Sequence, residues 1–439
     1  MPTSPPRLTR NVWATSVTSF LTDISSEMLA NVLPLFLANV VGVTTVTIGL
    51  IEGVAESAAS LLKLYSGWLS DRLRARKWLA VGGYGLSAVA KPFFYFATTW
   101  EAVAGVRWAD RVGKGVRTAP RDALLADSVS ARRTGLAFGV HRAADTAGAV
   151  LGILGAVLVV HLVQGGGLTL ERRTFQALVL VSVIPAFLAV LTLALFARDV
   201  PVGEARAPAD AGGSPAGHGS AISPPERASG APREPHPPSR RSRRSIGDLG
   251  APYLVFVAVS ALFYLGNSSD AFLILRAQER GLSVSQVLWV LVGFNAVYAV
   301  VSTPAGALSD RFSRRSVLAA GWGAYALIYL GFAVAGSGET VATAFVLYGV
   351  YQGLAAGAAK ALVADLVPSA HRGKAFGVYH ATLGLMNLPA SLIAGALWEG
   401  VGGWAGFGAP APFLFGAATA GAATVLLLTL PVLKPRPGA

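Results

Sequence analysis

Cysteine is absent from this chain of 439 residues, and charged residues are scarce. The absence of cysteine excludes disulfides and thiolate metal sites. Charged residues make up 13% of the chain and hydrophobic residues 53%, which leaves too little charge to cover the surface of a soluble protein of this length. No phosphate-cradling loop follows a strand-like segment, and no catalytic constellation is found. We therefore predict neither an enzyme nor a bound cofactor.

Long apolar runs recur along almost the whole chain. Each is about 20 residues or longer, enough to cross a hydrocarbon core about 30 Å thick, and none alternates apolar and polar residues as a membrane barrel strand does. The first run is too long for a cleavable signal peptide. The pattern predicts an all-α polytopic membrane protein with 12 transmembrane helices. We place the spans near residues 12–41, 48–68, 78–98, 103–128, 136–163, 174–198, 251–276, 285–307, 316–336, 341–366, 375–400 and 411–433.

A segment rich in Pro, Ala, Gly and Ser divides the runs into two sets of six. Residues 199–250 cannot bury a core and predict a flexible linker between two six-helix bundles, 1–198 and 251–439. Most Lys and Arg residues lie on the linker side, so the positive-inside rule predicts a cell (inner) membrane protein with both termini in the cytoplasm. The net charge of +13 is thereby explained by topology, with no nucleic-acid partner, and RRSRR (240–244) is expected to contact anionic membrane lipids.

The two halves of the chain repeat each other in the same orientation, which is typical of a parallel repeat of membrane helices. Three segments of the first half return 238 to 243 residues later. They are GWLSDRLRARK (67–77) with GALSDRFSRRS (306–316), ALLADSVSARRTGLAFGVH (123–141) with ALVADLVPSAHRGKAFGVY (361–379), and FLTDISSE (20–27) with FYLGNSSD (263–270).

The G-x-L-S-D-R loops after the second and eighth helices resemble the loop signature of the major facilitator superfamily, and the resemblance covers essentially the whole chain. DISSEM, RVGKGVRTAPRDALLAD and FGVHRAADTAGA look like a bacterial and archaeal branch of it. The resemblance implies two pseudo-symmetric bundles around a cavity that opens alternately to each side. It also implies gating by Asp71, Arg72, Asp310 and Arg311, since such carboxylates cap helices or pair with arginines.

Two carboxylates interrupt the first apolar run. Asp23 and Glu27 lie one helical turn apart, about halfway along the predicted helix. A carboxylate at the bilayer centre costs roughly 2.5–3.5 kcal/mol on insertion scales, so both should face a cavity or another helix. Burial disfavours the charged form, and similarity to proton-coupled exporters with an acid in the first helix also points to proton exchange. The alternative is a static ion pair with the fourth or fifth helix.

The fourth helix carries a basic face, on which Arg111, Lys114 and Arg117 fall within one sector. Arg111-x-x-Lys114-Gly115 resembles the superfamily's R-x-x-q-G pattern, in which the arginine is linked to proton movement, with Lys114 where an amide is usual. We therefore expect proton coupling to involve Arg111. Lys114 and Arg117 either neutralise acids of the first two helices or bind an anionic substrate by forked hydrogen bonds.

The second and fifth helices also hold ionisable groups. Glu52 and Glu56 predict an ion network between helices, with cavity lining as the alternative. The spacing of Arg142 and Asp145 favours a pair between them. Exporters of the superfamily carry a glycine-rich motif in this helix with a proline where Ile153 stands, so the resemblance to exporters is partial.

The interpretation is a monomeric secondary transporter that exchanges protons for a small organic solute, in the export direction. One alternative is proton-linked transport of an organic anion held by the fourth-helix cluster. Another is export of a divalent metal, although nearby basic residues would repel it and no metal site is predicted; a non-transporting sensor is the last. The expected substrate-binding residues are Lys114, Arg117, Glu56, His141, Arg142, Asp145, Asp270, Asn267, Asn295, Gln352 and His380.

Overall fold

A computed structural model of the chain describes residues 8–73, 75–130, 133–199, 249–368 and 371–433, except the side chains of residues 71, 303, 306–311, 356 and 433. Within these ranges the regular structure is helical, and the one extended contact is an isolated bridge between Val401 and Trp404.

The described ranges contain twelve helical segments besides short 3₁₀ turns, and each coincides with a predicted span. They are α1 (Arg10–Val41), α2 (Thr45–Leu73), α3 (Arg76–Ala90, continued by the 3₁₀ turn Lys91–Tyr95), α4 (Trp100–Asp127), α5 (Thr134–Val163), α6 (Arg172–Phe196), α7 (two pieces, Ala251–Leu265 and Ala271–Glu279), α8 (Val284–Arg311), α9 (Arg314–Val334), α10 (Gly338–Leu366), α11 (Arg372–Glu399) and α12 (Ala411–Thr429).

Nine of the helices in the described ranges are long and apolar enough to cross a membrane. The other three, α3, α4 and α7, depart from that pattern for reasons visible in the sequence. α3 changes to a 3₁₀ turn at Lys91, and α4 carries several charged residues along its length. α7 breaks after Leu265, at Gly-Asn-Ser-Ser, whose residues have low helix propensity because they favour turns over helices.

The helices pack mainly within their own half, and two pairs of helices make the most extensive contacts between the halves. In the first half α1 packs on α5 and α6, and α4 packs on α2 and α3; in the second half α10 packs on α8 and α9, and α12 on α7 and α9. Between the halves α2 packs along α11, and α5 packs on α8. Each of these pairs joins the second helix of one half to the fifth helix of the other, as a two-fold repeat requires.

The α2–α11 contact is close because glycines face backbone atoms. A Cβ atom added to Gly49 would lie 2.3 Å from the carbonyl oxygen of Ser391, and one added to Gly395 would lie 2.6 Å from the Cα of Val46. Near the same end of these helices the Thr45 amide donates a hydrogen bond of 2.6 Å to Glu399. We call this end, opposite residues 199 and 249, the far side, and the other end the linker side.

A second connection on the far side joins α1 to the outer piece of α7. The side chains of Asn39 and Gln278 exchange two hydrogen bonds, of 3.0 and 2.7 Å, and Gln278 also donates to the carbonyl of Leu168 at 2.9 Å. At mid-depth Ser57 donates to the carbonyl of Gly384 at 2.7 Å. These contacts hold the halves together on the far side, while a cavity of about 420 Å³ separates α2 from α11 on the linker side.

Candidate functional site

The two acids of α1 are half-buried near the middle of the helix. The Glu27 carboxylate accepts a hydrogen bond of 3.0 Å from Asn31. In the described part of the chain no Lys, Arg or His nitrogen lies within 4.0 Å of Asp23 or Glu27. Asp145 of α5 and Glu27 repel the Asp23 carboxylate, and Lys114 and Arg117 of α4 attract it more weakly. Within the described residues these acids therefore have no static ion pair.

A buried lysine holds the opposite side of α1. The Nζ of Lys91, at the end of α3, donates hydrogen bonds of 2.6 Å to Ser25 and 3.0 Å to Ser26. At 100° per residue, Ser25 lies about 200° around the helix from Asp23. Lys91 thus holds the side of α1 that points away from Asp23. The sequence does not single out Lys91, because it stands alone at the end of an apolar run.

Two ion pairs join α2 to α4, as the spacing of the α2 acids predicts. Arg107 contacts Glu52 at 2.6 Å, with 7% and 4% of their side chains exposed, and Arg111 contacts Glu56 at 3.1 Å. The α4 residue Asp110 is also buried and accepts a hydrogen bond from Ser87 of α3. α4 is therefore tied to both neighbouring helices by charged groups, and Glu56, with 36% of its side chain exposed, still reaches the interior space.

The basic face of α4 is only partly neutralised. Lys114 lies near the middle of α4, is exposed, and has no ion pair within the described residues. Arg111 repels its ammonium group, and Glu56 and Glu27 attract it. Arg117 stacks over the Tyr84 ring at 4.5 Å, and its Nη1 has no hydrogen-bond partner in the described chain. Arg121, nearer the linker side, bonds to Asp122 at 2.7 Å.

The predicted pair between Arg142 and Asp145 on α5 is not formed. Arg142 instead reaches the other half, where its Nη2 donates a hydrogen bond of 2.8 Å to the hydroxyl of Tyr298 on α8. Asp145 lies 3.7 Å from the Nε2 of buried His141, which is one turn before it. The spacing alone could not show this, because the competing partner Tyr298 is 156 residues away.

The polar residues of the second half fall into different surroundings. Asp270, at the start of the outer piece of α7, is exposed and accepts a hydrogen bond of 3.3 Å from Tyr348. Asn267, in the break of α7, donates a long hydrogen bond of 3.4 Å to Tyr351. Glu56, Glu27 and Glu52 of the first half repel the Asp270 carboxylate. Asn295 bonds to the Leu291 carbonyl of its own helix at 2.9 Å, which is a structural contact.

His380 lies in the linker-side third of α11, and Gln352 lies near the middle of α10. His380 lines the cavity of about 420 Å³ and also a smaller cavity of about 160 Å³, and Gln352 lines the smaller one. Apart from the α5 residues and Asn295, the candidate residues form two groups: charged and polar residues of α1, α2, α4 and α7, and the cavity-lining residues Gln352 of α10 and His380 of α11.

Of the four predicted gating residues, only the Arg72 side chain lies within the described part of the chain, where its guanidinium lies over the Trp68 ring at 5.4 Å. The side chains of Asp71, Asp310 and Arg311 lie outside the described residues. A related pair occurs in both halves at the start of α3 and α9. Arg76 contacts Asp127 and bonds to the Ala123 carbonyl at 3.0 Å; Arg314 contacts Asp365 at 2.6 Å and bonds to the Ala361 carbonyl at 2.9 Å.

No group of three or more His, Asp or Glu side chains in the described ranges is arranged to hold a metal ion. His141 and His380, which the metal alternative would require, are on different helices, α5 and α11. The nearest acid to His141 is Asp145 of its own helix.

Comparison with known proteins agrees with this architecture. The family model described as Major Facilitator Superfamily matches residues 15–275 and 254–439. The chain belongs to the major facilitator superfamily. An uncharacterized MFS-type transporter of Methanocaldococcus jannaschii is 34% identical to it over 398 residues, which cover 89% of each chain.

Solved structures of superfamily transporters share its fold over nearly the full length. A POT family transporter in complex with 5-aminolevulinic acid has a TM-score of 0.75 at 11% identity, covering 97% of each chain. A D-xylose-proton symporter has a TM-score of 0.70 at 14% identity, covering 97% of this chain and 98% of its own. This superfamily member is thus a multi-pass membrane transporter and not an enzyme.

Proposed function

We propose that this superfamily member is a proton-coupled secondary transporter that moves a small organic solute by alternating access, with Asp23 and Glu27 as the proton-exchanging groups. One observation carries the proposal. Glu52 and Glu56 each have an arginine partner, whereas Asp23 and Glu27 have no basic group within 4.0 Å in the described chain. A half-buried acid without a partner can gain or lose a proton without breaking a structural ion pair.

The charges across the interface suggest how proton uptake would act on the halves. Glu27 and Glu56 of the first half repel Asp270 of the second. In a medium of low dielectric constant this repulsion is much stronger than in water. A proton on Glu27 removes part of it and so favours the arrangement in which the halves approach at mid-depth. A ligand or proton shifts such an equilibrium only by its different affinity for the two arrangements.

We place the linker side in the cytoplasm of a monomer in the cell membrane, with export of the solute in exchange for protons. The concentration of Lys and Arg in the linker and on that side supports this orientation. The export direction is supported by the likeness of the α1 acids to those of proton-coupled exporters.

A second candidate function is proton-linked transport of an organic anion bound by α4. It is favoured by the exposed Lys114, which lacks an ion pair in the described residues, and by the Nη1 of Arg117, which lacks a hydrogen-bond partner there. Under this candidate the anion would supply the missing acceptor, and arginine offers it a forked pair of donors.

The test begins with a thermal-shift screen of the purified chain at two pH values, against organic acids, amines, sugars and sugar phosphates. A stabilising solute is then added to proteoliposomes that contain a pH-sensitive dye. We expect the solute gradient to move protons in the wild type, and Glu27→Gln to keep solute binding while losing proton movement. Glu101→Gln, a change at an exposed acid at the far-side start of α4, is the matched control and should behave as wild type.

Two results separate the candidates. Proton movement that persists at the wild-type rate in both Glu27→Gln and Asp23→Asn would refute the assignment of these acids. Loss of solute binding in Arg117→Gln, confined to anionic solutes, would favour the second candidate instead.

A further inference from the structure

The linker-side cavity between α2 and α11 has basic and aromatic walls. The space of about 420 Å³ is lined among others by Lys63, Tyr264, Phe376 and His380. An extension of about 160 Å³ shares Tyr264 and His380 with it and continues toward Lys360. Among the residues that the structure describes, none that lines either space is an Asp or a Glu.

Three positive or protonatable groups face this space without counterions. In the described part of the chain, the side chains of Lys63, Lys360 and His380 make no hydrogen bond or ion pair with protein. The two lysines repel each other, and both would repel a positive charge on His380. The charge that attracts Lys63 most strongly is Asp122, which already accepts hydrogen bonds from Arg121. Clefts lined by one sign of charge concentrate ligands of the opposite sign.

The extension adds flat apolar surfaces to these charges. Its walls include the rings of Tyr264, Trp322, Tyr351 and Tyr379, with the amide of Gln352 among them. Aromatic side chains pack against a planar ligand by offset or edge-to-face contacts. The main space lies in the usual range for small-molecule sites, about 300–1,000 Å³, so it can hold a solute of one or two rings.

We propose that this cavity binds an organic anion with an aromatic body, the anionic group lying between Lys63, Lys360 and His380 and the ring lying in the extension. The inference rests on the proposed function in that it names the class of solute. The site is distinct from the α4 cluster: Lys63 belongs to α2, Lys360 to α10 and His380 to α11. It joins the two halves, since Lys63 is in the first half and the other two groups are in the second.

The test compares charged ligands with neutral ligands of the same shape. Benzoate, 1-naphthoate and indole-3-acetate, each beside its neutral amide, are titrated by calorimetry into the purified full-length chain in detergent. We expect at least one acid to bind about tenfold or more tightly than its amide. Lys63→Gln and Lys360→Gln should each weaken that acid by about tenfold and leave the amide unchanged, and Lys63→Arg should restore much of the loss.

Lys77→Gln provides the matched control. Lys77 is on the same side of the protein, but it lies over the ring of Trp78 at 4.8 Å and is not a cavity residue. Its variant should bind the acid as the wild type does. Trp322→Leu should weaken acid and amide together, because it removes the ring contact and leaves the charges in place. Variants are compared only when they elute as single species with the wild-type melting temperature.

Three results would overturn the proposal: no saturable binding of any of the acids, equal binding of acids and amides, or equal loss in Lys63→Gln and Lys77→Gln. Nanodiscs of phosphatidylcholine with and without phosphatidylglycerol distinguish a soluble anion from a lipid headgroup. Binding of phosphatidylglycerol without any binding of the acids would also contradict it. Since these titrations need no proton gradient, failure of proton coupling in Glu27→Gln and failure of this site are separate outcomes.

Discussion

A single methyl group on Gly49 should weaken the far-side connection between the halves. The Cβ of Gly49→Ala would lie 2.3 Å from the carbonyl oxygen of Ser391, and the closest ordinary contact is 3.4 Å. Both atoms belong to helix backbones or are fixed to them, so neither can rotate away. α2 and α11 must therefore separate by about 1.1 Å, the difference between these two distances.

This separation is large enough to break a nearby hydrogen bond. The Thr45 amide lies 2.6 Å from the Glu399 carboxylate, and a rigid shift of that size would bring the distance to about 3.7 Å, beyond hydrogen-bond range. A hydrogen bond to a charged group contributes about 1.5–3 kcal/mol, and each 1.4 kcal/mol is tenfold in an equilibrium. We expect the population with an open far side to rise roughly tenfold or more.

The absence of cysteine makes the measurement clean, because introduced cysteines are the only labelling sites. Spin labels at Glu101→Cys and Glu339→Cys, two exposed positions at the far-side starts of α4 and α10, report the opening as a longer distance in double electron–electron resonance. Gly323→Ala is the matched control, since its added Cβ meets nothing within 4 Å. If Gly49→Ala and Gly323→Ala give the same distance distribution as the wild type, the reasoning about this contact is wrong.

Three further outcomes follow from the contacts between helices. Glu52→Gln should destabilise the protein by about 3–5 kcal/mol in detergent melts, because it leaves the buried guanidinium of Arg107 unpaired. Adding Arg107→Met should recover most of this loss, and an equal loss in the double variant would contradict the reasoning. The effects of Tyr298→Phe and Arg142→Gln on the free energy of unfolding should be non-additive, with a coupling energy of about 1 kcal/mol in a double-mutant cycle. A coupling energy of zero would count against the Arg142–Tyr298 hydrogen bond. Gln278→Ala should lengthen the spin-label distance on the far side, since it removes the hydrogen bonds between α7 and Asn39 of α1. An unchanged distance would show that these hydrogen bonds do not keep the two halves together.

Much of the fold is predictable because membrane insertion imposes a simple rule on sequence. Apolar runs of sufficient length mark the helices, and the two SDR loops mark the repeat. The spans predicted for α1, α5 and α10 end within a few residues of the observed helices. The α2 acids also indicate their ion pairs, since an ionised carboxylate within a membrane helix is costly unless it is paired or faces a polar cavity.

The rest of the site depends on contacts between residues far apart in the chain. Lys91 is separated from Ser25 by 66 residues, and nothing near either residue indicates the other. Arg142 had a plausible local partner, and only the packing of α5 on α8 gives it Tyr298 instead. The cavity lysines show the same dependence: Lys63 and Lys360 acquire a common role only when α2 and α10 approach the same space.

The break in α7 gives the second half a short rigid arm. The outer piece, Ala271–Glu279, is nine residues long, or about 13 Å at 1.5 Å per residue. Asp270 stands at its inner end, where the acids of the first half repel it. Gln278, near its outer end, exchanges two hydrogen bonds with Asn39 of α1. A change of charge at Asp270 that tilts this piece must therefore also displace Gln278 from Asn39, because the helix between the two ends is continuous.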